Sequence, residues 1–403
     1  MRFGEGLPFG VRDAAGRLLL AAGQIVDSQR LMAELQAQPL FALESESASW
    51  YKRLVGAMDA RIRQGALLHQ VAAARPEAES GRDATARKSL TLTEEWQEIA
   101  SHLDAALREI GAGQDCRARL LGVHARARAL VTQRPDASLY YLVYEAAHST
   151  AKYSSHHAVL CLVIGALAAR MLAWQQPWID SLERAALLMN VSMLRLQDQL
   201  AEDDRAPTPE MRAEIANHPA RSVQMLAQSG LADALCLETV RLHHDAGAAD
   251  AALDSLPPAQ QLARLLRRVD IFTAQISRRR SRAPKSPVQA AREACLSVNG
   301  RPDEIGGALL RAVGMYPPGC LVELANGEVG IVLARGRRAN VPYVASLLSA
   351  GGNLIADPLL RDTLDQRYAV KTTVPPAAVK VRPPHERLLA MRLPVESALP
   401  SLR

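Results

Sequence analysis

The chain has 403 residues, 48% of them apolar and only 4% aromatic, with a formal charge of +6. That length allows two or three domains with a sizeable core, and a composition led by alanine, leucine and arginine favours packed helices over sandwiches or barrels. No run reaches the roughly 18 uninterrupted apolar residues of a membrane helix, which argues against membrane insertion.

The opening residues carry no charged-then-apolar signal pattern. The five cysteines are scattered without CxxC spacing, which argues against a disulfide framework and for a cytoplasmic protein with reduced thiols. The positive charge suits an anionic partner. Arginines recur along the whole chain, however, and no binding motif accompanies them, so nucleic acid is not the expected partner.

Taken in chain order, residues 1–46 read as a small β-containing module, with two short apolar runs, LPFGVRD and RLLLAAGQIV, separated by the turn-forming DAAG. Residues 47–135 form a helical segment and linker. Trp50, Leu54, Met58 and Ile62 recur at helical spacing, and the polar stretch 74–88 reads as linker. A second helix opens at TLTE, where Thr91 and Glu94 have the spacing of a capping box, and Trp96, Ile99, Leu103, Leu107 and Ile110 line one of its faces.

Residues 136–311 read as helical almost throughout. HHAVLCLVIGALAARMLAW (156–174) is apolar nearly all round and should be a core helix. The next helix has Asp180 or Ser181 as its cap and runs through the apolar stretch 182–196. TPEMRAEIANHPARSVQMLAQSG (208–230) starts with a helix-start signal and ends with a glycine stop. Two more helices follow. From 312 to 403, alternating residues around Asn326-Gly327 predict a small β module with a hairpin, and then a proline-rich tail. The fold class expected is mainly α, a helical bundle with small β modules at both ends.

The central zone gathers His156, His157, His218, His243, His244 and Asp270. Imidazoles and carboxylates brought together from several helices are what a divalent metal needs. Singly, each has a plainer explanation. His218-Pro219 suits a helix boundary, adjacent histidines cannot share one face in mid-helix, and Asp270 has Arg267 and Arg268 as ready partners.

Their order and spacing resemble the HD-GYP family, a branch of the HD phosphohydrolases whose active members hydrolyse cyclic di-GMP. The resemblance covers about 140–335. It rests on His157 before AALLMNVSM, on the stretch around His218-Pro219, on VRLHHD, and on RVDIFTAQISRRRSRAPKSP from Asp270 onward. It implies an HD-type helical bundle, with His157, His218, His243, His244 and Asp270 as metal ligands, and Arg279 and Arg282 as a phosphate clamp at the pocket rim.

The departures are as specific. The family's paired His-Asp falls on Met189 and Asn190, its following glycine and lysine on Ser192 and Met193, and a second acidic position on Thr273; the GYP stretch is absent. Two-metal hydrolysis needs an anion shared between cations about 3.5–4 Å apart. Asn190 offers no charge, and the thioether of Met189 is a poor ligand for Fe, Mn or Mg. The resemblance therefore implies a degenerate regulator that binds cyclic di-GMP, another cyclic dinucleotide, or a signalling protein such as a diguanylate cyclase. A divalent metal (Fe, Mn or Zn) would be held at reduced occupancy. The alternative is a phosphodiesterase working from the remaining three-histidine site.

Overall fold

In the computed structural model the described residues are 90–231, 233–245, 251–296, 300 and 303–391, together with 7, 9–12, 18–20, 35, 39–42, 44–63 and 70. The linker 74–88 and the end of the tail, 392–403, lie outside them. The chain divides into two units, Met1–Ser89 and Leu90–Arg403.

In the first unit, β1 (Val11–Arg12) pairs antiparallel with β2 (Leu18–Leu20), and Leu7, Val11, Leu20 and Leu35 form a small cluster. Helix α1 (Glu44–Arg63) half-buries Trp50, Leu54 and Met58, while Ile62 is exposed.

In the second unit, α2 (Leu92–Gly111) opens with the reciprocal capping box of Thr91 and Glu94. Its five periodic apolar side chains are all buried. Helices α3 (Arg117–Gln133) and α4 (Pro135–His148) follow, then α5 (Tyr153–Met171), buried on almost every face. By length and composition α5 is apolar enough to cross a membrane, but 83% of it is covered by other parts of the protein. It is the bundle's central helix.

Around it pack α6 (Gln176–Leu188), α7 (Leu194–Glu202), α10 (Pro258–Ile276) and α12 (Glu304–Val313). Helices α8 (Pro209–Ser229), α9 (Ala234–Leu242) and α11 (Pro287–Cys295) complete the bundle.

Two local expectations are corrected. Helix α6 starts at Gln176 because Pro177 suits a first turn, so Asp180 and Ser181 lie inside the helix; Asp180 pairs with Arg128, and Ser181 bonds Asp233. The helix also does not run through 182–196. It ends at Leu188, a 3₁₀ turn spans Val191–Met193, and α7 restarts at Leu194.

Five antiparallel strands close the unit: β3 (Leu321–Leu324), β4 (Val329–Ala334), β5 (Tyr343–Leu348), β6 (Leu354–Asp362) and β7 (Val370–Thr373), in the order β6-β5-β4-β3-β7. Gly327 takes the positive φ (82°) that the β3–β4 hairpin turn requires. Alternation sends Leu321, Ile331, Leu333 and Ala345 into the main core, and Val322, Val332 and Val344 into a second cluster. The tail then folds back onto the helices. In α13 (His385–Leu389), Leu388 is buried and His385 sits among Tyr140, Tyr141 and Tyr144. The molecule is mainly α, with a helical bundle and a small antiparallel sheet.

Candidate metal centre

Among the described residues, two groups of ligand-type side chains meet in the bundle. The first is His157 and Cys161 on α5 with Asp270 on α10; the second is His218, His243 and His244.

In the first group, His157 Nε2 lies 2.8 Å from Asp270 Oδ1 and 3.5 Å from Cys161 Sγ. Burial alone would keep the imidazole neutral, but Cys161 and the Asp270 hydrogen bond together push its pKa well up. Burial would likewise raise the Asp270 carboxyl, yet the bond to His157 and the surrounding imidazoles draw it down to about 2. The two therefore close on each other as an ion pair, and a metal here must displace the shared proton. The arginine partners considered for Asp270 are not used that way: Arg268 is bidentate to Asp303, at 2.5 and 2.6 Å.

In the second group, backbone chemistry sets the tautomers. Pro219 lies inside α8 and is not its boundary. Lacking an N–H, it leaves the carbonyl of Ile215, four residues earlier, without its helical donor. His218 Nδ1 takes that carbonyl at 2.5 Å. His243 caps α9, where the last turn's carbonyls lack partners, and its Nδ1 bonds Val240 O at 2.6 Å.

Both Nδ1 atoms thus carry the proton, and both Nε2 atoms present bare lone pairs, yet these lie only 3.1 Å apart. Burial lowers the pKa of both rings, that of His243 to about 3 with His244 adding to the effect, so protonation does not relieve the contact near neutral pH. A cation between them does. Tetrahedral M–N bonds of 2.0–2.1 Å imply N···N separations of about 3.3 Å, close to what is found. Because α9 has ended, His244 can reach the same point: its ring centroid is 5.0 Å from that of His218 and 4.2 Å from that of His243. The neutral three-imidazole set fits one transition-metal ion.

The role of Pro219 is testable. Pro219→Ala should remove a helix-interior proline that costs about 3 kcal/mol and raise the melting temperature, while the restored N–H competes for the Ile215 carbonyl. Metal affinity, measured by chelator competition, should fall roughly 10- to 100-fold, the usual effect of losing an orienting bond.

Met189 is fully buried in the core and Asn190 is partly exposed at the break after α6. The break is tied to the histidine site, since Ser192 Oγ donates to His218 O at 3.0 Å and is met by Ser222 Oγ at 3.0 Å. Asp270 lies close enough to His218, His243 and His244 for its charge to act on each.

Arg279 donates through Nε and Nη2 to Tyr153 Oη (3.2 and 3.0 Å), and the Tyr153 ring lies parallel to that of His157, 5.8 Å away. Arg282 is exposed, with Nη2 on Ala274 O at 2.8 Å. Partial burial and the neighbouring Arg279 charge lower the Arg282 pKa, a repulsion that an anion between the two would relieve. Cys161, Tyr153 and Ser192 were missed from sequence. Cys161 and Tyr153 lie four residues either side of His157, a spacing that places them on its face; Ser192 gave no local signal.

No family model matches the chain. Over 223 residues it is 27% identical to a cyclic di-GMP phosphodiesterase of Pseudomonas aeruginosa, a match taking in 54% of this chain and 52% of that protein. The chain thus spans about half the length of that relative. It is also similar to a solved HD-GYP protein from Bdellovibrio bacteriovorus, with 16% identity and a TM-score of 0.44 over 76% of this chain and 95% of that one.

The chain resembles the HD-GYP proteins. The side chains brought together here come from α5, α8, the end of α9 and α10.

Proposed function

We propose that this HD-GYP relative is a cytoplasmic component of cyclic di-GMP signalling that binds a cyclic dinucleotide or a signalling partner, such as a diguanylate cyclase, and hydrolyses the nucleotide weakly or not at all. One divalent transition metal sits on His218, His243 and His244, and Arg279 and Arg282 take phosphate oxygens at the rim.

The observation that carries this is the state of Asp270. Its Oδ1 is engaged by His157, and the residues at 189 and 190 bring no second carboxylate to bridge two cations. A single ion can still activate a water, but without a second cation the developing charge on attacking and leaving oxygens loses a contribution worth about 3 kcal/mol, a hundredfold or more in rate. What supports cyclic di-GMP as the ligand is the activity named for the Pseudomonas relative.

Incubating metal-loaded protein with cyclic di-GMP and separating the products tests this. Binding without appreciable linear product is expected. Turnover that His243→Ala abolishes would instead make the chain a phosphodiesterase working from the three-histidine site.

A further inference from the structure

The basic segment after α10 faces two ways. Arg279 and Arg282 form an antiparallel bridge, and the backbone on either side of Arg279 is held: Arg278 N donates to Ala146 O at 2.7 Å and Arg280 N to Ala201 O at 2.8 Å. Arg280 and Ser281 form the turn between the bridged pair. Arg279 goes to Tyr153, whereas Arg278 and Arg280 line a separate open cavity of about 560 Å³ with His148, Ser149, Thr150, Ala151 and Glu202.

Among the described residues neither Arg278 nor Arg280 forms an ion pair; the one side-chain bond between them is from Arg278 Nη1 to His148 O, at 3.3 Å. Both guanidiniums are exposed and free to take an oxyanion. The wall beside them is flat and rigid, because the His148 ring is stacked on Tyr144 (3.9 Å between centroids, 22°) and its Nδ1 donates to Tyr144 O at 2.7 Å. The ring's Nε2 is left as an acceptor.

We propose that this cavity is a second anion site, distinct from the metal centre and from the Arg279–Arg282 pair, which takes the phosphate group of a small ligand of mononucleotide size. Two guanidiniums hold the phosphate, and the backed imidazole offers a planar surface and an acceptor to the remainder. The volume lies in the range of small-molecule sites. Glu202, exposed in the same cavity, opposes the anion and limits affinity.

Calorimetric titration of the full chain with 5′-GMP tests it, with guanosine and inorganic phosphate as separate arms. GMP should bind, phosphate more weakly, and guanosine roughly tenfold or more weakly than GMP. Arg278→Ala/Arg280→Ala should weaken GMP about tenfold or more, and Glu202→Gln should tighten it several-fold. Equal binding of phosphate and GMP overturns the proposal that the site takes a ligand of mononucleotide size. GMP affinity unchanged in the double arginine variant, no GMP binding by the wild type, or no effect of Glu202→Gln each overturns the proposal. Metal content and cyclic di-GMP binding, followed in the same preparations, report separately on the metal centre.

Discussion

His243→Ala should leave the purified protein without its transition metal. The proposed site would hold the ion on three neutral imidazoles, two of them preset by Nδ1–H bonds to Ile215 O and Val240 O. Removing His243 takes away one ligand of three and also the close Nε2···Nε2 contact of 3.1 Å that only a cation relieves. The apo variant should remain folded, because deleting the ring removes the Nε2···Nε2 repulsion, which offsets part of the cost of the cavity it leaves. Elemental analysis after gel filtration without chelator should find metal in the wild type and at most about a tenth as much in the variant. The melting temperature of the wild type should fall on chelation and that of the variant should not, since a ligand that binds only the folded state stabilises it by mass action. Metal retained in full by His243→Ala would place it elsewhere.

The second large effect is a gain. Met189→His/Asn190→Asp restores the imidazole and the carboxylate that the resemblance places at these positions. With an anion available to offset the repulsion between cations, the protein should take up a second ion, drawing His157 and Asp270 out of their mutual pair. Cyclic di-GMP should then be linearised at least about a hundredfold faster than by the wild type. Asn190→Asp alone is nearly isosteric, leaves the fully buried Met189 untouched, and should recover part of the metal uptake. A double variant that folds, binds no additional ion and gains no activity would show that these positions do not face the metal centre.

Much of this was legible in the sequence where the cause is local. The Thr91–Glu94 box, the apolar stripe of α2, the αL stop at Gly230 and the Asn326-Gly327 hairpin each depend on residues within a few positions of one another, and each formed. The all-apolar character of α5 announced a central helix. What failed depends on distant partners. The break at 189–193 is fixed by Ser192 bonding His218 across the bundle, which no periodicity within 182–196 can reveal. His218-Pro219 looked like a helix boundary because proline ends most helices, whereas here His218 fills the vacancy that proline creates. The objection to His243–His244 held only for mid-helix, and disappeared once α9 ended at Leu242. Arg279 turned out to be bound to Tyr153, a partner 126 residues away.

The most direct measurement is the number of transition-metal ions per wild-type chain, found by elemental analysis and located by anomalous scattering. One ion on His218, His243 and His244, with His157 still paired to Asp270, is the expected result. Two ions bridged by Asp270 would contradict it.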